Sequence, residues 1–271
     1  MTTELISIIC TVKNGENTIS NTIESVINQT FTNWELVIVD DGSNDGTVSI
    51  LNRYKDRDNR VKLVLTDAIG RGKALNLAIE NASGKYICNL DADDLMHPQK
   101  LSIQYKIITE NPNYFLISTN SEIIHGNGTP LWKEYSKDSS FLKRINHSIL
   151  IGNQINHSSV IMNKVLLQEL GGYDEGRSTQ FDYELWLRAF INNKEMGIIN
   201  NVLTAKRIHN SQSFENKRRI KYLYNSMILQ IRSISLYKKQ LLLIVIPPIR
   251  FILGLLPFKF RRLINIIISL F

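Results

Sequence analysis

Three carboxylates fall within four residues at Asp91, Asp93 and Asp94. Like charges this close repel, and burying them unpaired is costly. A counter-charge is the simplest reason to put them together. Hard oxygen ligands of this kind suit Mg²⁺ or Mn²⁺, particularly where substrate phosphates complete the shell. A solvated acidic loop is the bland alternative, and a bare D-x-D does not decide between the two. What precedes it does bear on the choice, because Tyr86-Ile87-Cys88-Asn89-Leu90 reads as a short buried strand ending in the acidic cluster.

The same pattern recurs upstream. Leu5 to Val12 is an apolar, β-rich run that stops at Lys13-Asn14-Gly15-Glu16-Asn17, with Asn17 a candidate N-cap for a helix from Thr18 to about Asn28. Trp34 to Val39 is a second strand, ending in Asp40-Asp41-Gly42-Ser43-Asn44-Asp45-Gly46-Thr47, a run of turn residues that leads into a helix through about Tyr54. Val61 to Leu65 is a third, after which Gly70-Arg71-Gly72-Lys73 opens another helix. Strand and helix alternating at this spacing predict βαβ units, hence an α/β domain with a mostly parallel central sheet flanked by helices. Ligands of such sheets bind outside the carboxyl ends of the strands. The fold therefore gathers Thr11 to Asn14, Asp40 to Thr47 and Asp91 to Asp94 in one crevice, which makes an idle acidic loop a poor account.

Other phosphate sites fail on their spacing. A dinucleotide fingerprint needs G-x-G-x-x-G after the first strand, where only Gly15 stands. Gly72-Lys73 is followed by Ala74 and lacks the upstream glycine of a P-loop. An aspartate-nucleophile phosphatase usually carries its D-x-D on the first strand with Gly-Thr following, whereas here Asp94-Leu95 follows on a later one. The 271 residues suffice for one large domain or a domain with an appendage. With 43% hydrophobic and 21% charged residues the chain is not disordered. Cys10 and Cys88 both sit in predicted strands and read as core residues of a reducing compartment. No basic segment followed by an apolar core marks the first residues as a signal peptide.

The segments SIICTVKNGENTISNTIESVINQTF, WELVIVDDGSNDGT, GRGKALNLAIENASGKYICNLDADD and GGYDE…FDYELWLR together resemble family 2 glycosyltransferases, over roughly residues 5 to 212. Four such pieces in this order are very specific. The resemblance implies a GT-A fold and an inverting enzyme that uses a nucleotide-sugar donor, UDP-linked by preference, with Mn²⁺ or Mg²⁺. It also implies roles. Thr11, Lys13 and Glu16 lie in the loop facing the nucleotide, although the family often has Tyr-Asn where this chain has Lys13-Asn14. Asp40 matches the acid that contacts base or ribose, and Asp41 supports it. Gly70, Arg71, Lys73 and Asn76 match the segment that closes over the nucleoside, where Arg71 or Lys73 offsets phosphate charge. Asp91, Ala92 and Asp93 match the D-x-D that meets the nucleotide-sugar, Asp93 and Asp91 holding the metal, with Asp94 a frequent third acid. Asp182 matches the catalytic base, although Phe181 replaces the acid that usually precedes it. Glu184 is expected to face solvent. His157 has two readings, a hydrogen-bonded core residue or an acceptor contact. Arg207-Ile208-His209 resembles an R-x-H ending whose histidine reaches the metal or diphosphate, with a plain surface histidine as the alternative.

Charge is distributed unevenly. From Lys206 onward thirteen Lys/Arg stand against one acid, Glu215, so the net +7 belongs to the C-terminal quarter and the rest is net acidic. The expected division is a catalytic domain over 1–212 and a basic, apolar helical tail over 213–271. Pro247-Pro248 and scattered Arg and Lys interrupt the tail's apolar runs, so an in-plane interfacial anchor is expected rather than a spanning helix. Docking onto the catalytic domain or an oligomer is the other reading. Nucleic-acid binding would rest on pI alone, since no basic–aromatic pattern is present. The expected partners are thus a nucleotide-sugar, a glycan or lipid-linked acceptor and a membrane surface, with the protein peripheral at the cytoplasmic face. A non-catalytic module of the same fold that recruits through its tail is the rival, opposed by intact Asp40, Asp91, Asp93 and Asp182.

Overall fold

The computed structural model describes residues 3–135, 140–208 and 219–256. Two compact units emerge, one of Met1–Ile145 with Gln154–His209, the other of Asn146–Asn153 with Asn210–Phe271.

The first unit is built on β1 (Ile6–Val12), β2 (Trp34–Asp41), β3 (Val61–Thr66) and β4 (Tyr86–Asn89), all parallel, in the order β3-β2-β1-β4. Every residue of β2 and of β4 is buried, Glu35 included, which is why both read as mainly apolar runs. The crossovers are α1 (Ile19–Ile27), α2 (Thr47–Arg57) and α3 (Arg71–Asn81). Helix α1 packs Ile19, Ile23 and Val26 on the core as their spacing predicts. Its N-cap is Thr18 rather than Asn17 and makes no side-chain capping bond; the backbone carbonyl of Gly15 takes the first amides instead.

Beyond β4 the sheet is mixed. After β5 (Leu95–Met96) and α4 (Lys100–Glu110) come β6 (Tyr114–His125), β7 (Leu142–Arg144), β8 (Ile161–Asn163), α5 (Lys164–Glu169), α6 (Phe181–Ile191) and β9 (Glu195–Ile208). The order continues β4-β8-β6-β9-β5, with β7 also on β9. Strand β8 runs antiparallel to both β4 and β6, and β5 and β7 run antiparallel to β9, while β6 and β9 are parallel. Residues 195–208 form one long irregular strand, because β6 accompanies them with shifts in register. Strand β8 is preceded by a 3-10 turn at His157–Ser159 capped by the Asn156 side chain.

In the second unit, α7 (Arg219–Tyr237) is followed by a 3-10 turn at Leu241–Val245 and by α8 (Ile246–Leu255). Pro247 and Pro248 lie in the first turn of α8, where a proline removes no needed donor. No described helix is long and apolar enough to cross a membrane.

Candidate active site

The carboxyl ends of β1 and β2 are laced together. The Asn14 amide donates to Ser43 Oγ, that of Asn44 to Asn14 Oδ1, and that of Gly46 to Glu16 Oε2 at 2.7 Å. Glu16 is therefore spent on joining two loops. Lys13 is exposed and makes no ion pair among the described residues; Thr11 is half-buried on β1. Asp40, at the end of β2, is buried. Its Oδ1 accepts from the Ser43 amide at 2.9 Å, while Oδ2 is buried with no hydrogen-bond partner among the described residues. An unpaired buried acceptor of this kind calls for a donor that a ligand could bring. Asp41 accepts from the Gly70 amide and from Thr66 Oγ1, which fixes the loop leading into α3.

Helix α3 starts at Gly70, whose φ of +94° lies in the region open to glycine. Arg71 follows and reaches Asp91 Oδ1 with its Nη2 at 2.6 Å. The same oxygen accepts from Asn89 Nδ2 at 3.2 Å and lies 3.1 Å from His157 Nδ1. The Asp91 amide donates to Ser158 Oγ. Burial alone would raise the Asp91 carboxyl, but Arg71 and then His157 outweigh it and hold the group far below the usual carboxylate range. Arg71 is in turn held charged, first by Asp91 and also by Asp182 and Asp93. Asp91 is thus the acid in contact with the guanidinium, while Asp93 on the same loop and Asp182 on a helix far off in sequence act on it through their charge. Lys73, one turn on from Gly70, is exposed with no ion pair among the described residues.

His157 is buried, and its Nε2 lies 2.8 Å from the Tyr173 hydroxyl. Of its two readings the structure carries the hydrogen-bonded one. Tyr173 is buried too, and its hydroxyl is pushed well above the usual phenol range by burial, then by the charges of Asp182 and Asp91. Its backbone is pinned by Asn76, whose Oδ1 accepts from the Tyr173 amide while Nδ2 donates to the Tyr173 carbonyl and to Glu175. The structure thus employs Asn76 to hold the 171–175 turn against α3. Gly72 permits that approach, since a Cβ there would lie 3.1 Å from the Glu175 Cα and the Phe181 ring.

Asp182 stands in the first turn of α6, half-buried, close enough to Arg71 and Tyr173 to act on both electrostatically. Glu184, expected at the solvent face, instead forms a two-point ion pair with Arg188 at 2.7 and 2.9 Å. Arg188 also donates to the carbonyls of Leu170 and Gly172. An i, i+4 acid–base pair on α6 thereby braces the turn that carries Tyr173. Nothing local in the sequence announces that, since the partners are carbonyls some sixteen residues away.

The Asp93–Asp94 loop is caged from β9. The Arg207 amide donates to Asp94 Oδ1, its Nε to the Asp93 carbonyl, and its Nη1 to the carbonyls of Gly126 and Gly128. Asp94 is buried, and burial followed by the charges of Asp91 and Asp93 raises its carboxyl well above the usual range. It is a structural member of the loop. The Ala92 carbonyl accepts from Thr22 Oγ1 on α1, as does that of Asp94. Asp93 is half-buried on the loop, and its charge acts on Arg71 and on Asp94. His209 lies outside the described residues.

The donor set fits a divalent cation shared with a diphosphate. Asp91 Oδ2 makes no hydrogen bond among the described residues, and Asp93 adds a second hard carboxylate. The described residues hold no cluster of three or more ligating groups. Mg²⁺-type sites commonly take one or two carboxylates and complete the shell with substrate phosphates and water.

The sequence model of glycosyl transferase family 2 matches residues 7–170. An uncharacterized glycosyltransferase of Methanocaldococcus jannaschii is 30% identical over 82% of this chain and 77% of its own length. The glycosyltransferase TuaG of Bacillus subtilis, named for teichuronic acid biosynthesis, is 38% identical over 48% of this chain and 51% of its own. Among solved structures, residues 1–349 of S. aureus TarS with UDP-GlcNAc superpose with a TM-score of 0.67 at 21% identity, covering 84% of this chain and 66% of that one. The mannosyltransferase PcManGT of Pyrobaculum calidifontis, solved with GDP-Man and Mn²⁺, gives 0.65 at 16% over 98% of this chain and 79% of that one. Several relatives are longer: this chain spans 65% of two Rickettsia glycosyltransferases. The mixed sheet with its acidic loops is the GT-A fold, and the match over 7–170 falls on the strands and loops that build the crevice. This chain is a member of glycosyl transferase family 2.

Proposed function

We propose that the protein transfers a sugar, with inversion, from a UDP-sugar to a hydroxyl of a glycan or lipid-linked acceptor during synthesis of a bacterial surface polysaccharide. The observation that carries this reading is the Arg71–Asp91 ion pair, on which Asp182 and Asp93 also act through their charge, together with the buried Asp40 oxygen that has no hydrogen-bond partner among the described residues. Asp40 Oδ2 would accept from the uracil imide or a ribose hydroxyl, with Thr11 at the end of β1 and Lys13 in the loop that follows as further nucleotide contacts. Arg71 and Lys73 would meet the diphosphate charge. Asp93 and Asp91 would hold Mn²⁺ or Mg²⁺, which when bound supplies Lewis-acid stabilisation of the departing diphosphate. Asp182 would take the proton from the acceptor hydroxyl as its oxygen attacks the anomeric carbon from the face opposite the nucleotide. The bond from that carbon to the diphosphate oxygen breaks, UDP leaves, and the configuration inverts. The surface-polysaccharide setting draws on the likeness to TuaG.

The division into a catalytic domain over 1–212 and a tail over 213–271 is part of the same proposal. So is a peripheral position at the cytoplasmic membrane face, beside an acceptor held in the bilayer. A screen of nucleotide-sugars for hydrolysis and transfer, with and without Mn²⁺, tests the reading. Turnover of one donor that needs the metal and is lost in Asp93→Ala is expected. Donor binding without turnover on any acceptor would favour the non-catalytic module.

A further inference from the structure

The second unit has an unusual outer face. Leu242, Val245, Ile249, Ile252 and Leu255 are 90%, 59%, 53%, 62% and 48% exposed. They run from the 3-10 turn along α8 at spacings of three and four residues, the period of one helical face. The other side of the helix is already occupied, with Pro247 buried, Phe251 edge-on to Tyr224 and Gly254 against Leu223. The stripe is therefore not the core-facing side of α8. Single exposed leucines need no explanation, but a periodic row of five does.

The charge around the row narrows what could cover it. Residues 219–256 contain six basic side chains, Arg219, Lys221, Arg232, Lys238, Lys239 and Arg250, and no acid. Arg219 and Arg250 are tied to the carbonyls of Gly254 and Ile151 within the unit. Lys238, Lys239 and Arg232 are exposed. A second copy on this face would bring like charges together, and a nucleic acid would leave the apolar row uncovered. An anionic lipid surface satisfies both features.

We infer that the row from Leu242 to Leu255 is an in-plane insertion surface for an anionic bilayer. It buries aliphatic side chains among the acyl chains while Lys238 and Lys239, just before Leu242 in the chain, meet the headgroups. This assigns the peripheral position proposed above to particular residues, and it does not depend on the identity of the donor.

Flotation of the full chain on vesicles tests it. Binding to phosphatidylglycerol-containing vesicles is expected, with little to pure phosphatidylcholine and a fall as salt is raised. Leu242→Glu and Ile249→Glu, both at exposed positions, should each lower the partition roughly tenfold or more while UDP affinity stays unchanged. Leu242→Ser, milder and at a 90% exposed site, should give a smaller loss in the same direction should a charged variant misfold. Wild-type flotation by the folded variants would overturn the inference and point to other residues. So would a full chain that does not float, or a change in oligomeric state by sedimentation with flotation intact, which would make the row a contact between copies. Loss of metal-dependent transfer with flotation preserved would instead bear on the proposed reaction.

Discussion

Asp40→Asn separates binding from stability in a way that the geometry fixes in advance. Asp40 Oδ1 accepts from the Ser43 amide, and Oδ2 is buried with no donor among the described residues. Leaving a buried polar atom unsatisfied costs about 1–3 kcal/mol. The amide is isosteric, so its oxygen can keep the Ser43 bond while its NH₂ takes the place of Oδ2. Removing the charge from that site relieves desolvation, and the melting temperature should be unchanged or slightly higher. The donor sees the opposite effect. An N–H or O–H aimed at Oδ2 would lose a charge-assisted bond, typically about 1.5–3 kcal/mol, and would face another donor. UDP affinity should therefore fall by roughly ten- to a hundredfold. Calorimetric titration with UDP in Mn²⁺ beside a thermal melt measures both. An unchanged affinity would refute the argument that the orphaned oxygen belongs to the nucleotide. A melting temperature lowered by many degrees would show that Oδ2 has a structural role instead.

Other outcomes follow from the same contacts. Asp182→Asn should retain donor binding and lose at least about 10²-fold in kcat, the usual scale for a general base; near-normal turnover would reassign the base. Arg188→Met leaves Glu184 unpaired and releases the carbonyls of Leu170 and Gly172, so stability should drop by about 3 kcal/mol or more, measured by urea unfolding, with donor affinity weakened secondarily. Glu35 accepts from Ser7 Oγ and the Ser83 amide and pairs with Lys62. Burial would raise its carboxyl, but these partners hold it below the usual value. Its stabilisation is present above the ordinary carboxylate range, about pH 4.3, and is lost as pH falls through the depressed folded value. Glu35→Gln should therefore destabilise at neutral pH and flatten the acid limb of a stability–pH curve; parallel curves for the two proteins would contradict it.

How far the sequence could be read depends on where each side chain finds its partner. Strands β1, β2 and β4 were legible because burial on both faces leaves a mainly apolar run, and the acids that follow them stood out, although Glu16, Asp41 and Asp94 turn out to hold loops in place. The topology after β4 was not, since β7 and β8 are three residues each and carry no period of their own. Side chains whose partners are distant backbone atoms were the least legible. Asn76 read as a nucleotide contact, yet it bonds the Tyr173 backbone ninety-seven residues away. Glu184 read as solvent-facing, yet with Arg188 it holds the turn that positions Tyr173. Arg207 read as part of a terminal motif, yet its side chain and amide hold the Asp93–Asp94 loop in place. The carboxylates announce themselves because charge is costly to bury, whatever surrounds them. The residues that aim them are satisfied by carbonyls and amides present at every position, so their types alone carry no such signal. Holding the Asp93–Asp94 loop and the 171–175 turn, whose Tyr173 feels the charges of Asp91 and Asp182, therefore depends on Asn76, Arg188 and Arg207. Substituting these supports should alter the site's geometry before it alters the chemistry of any acid.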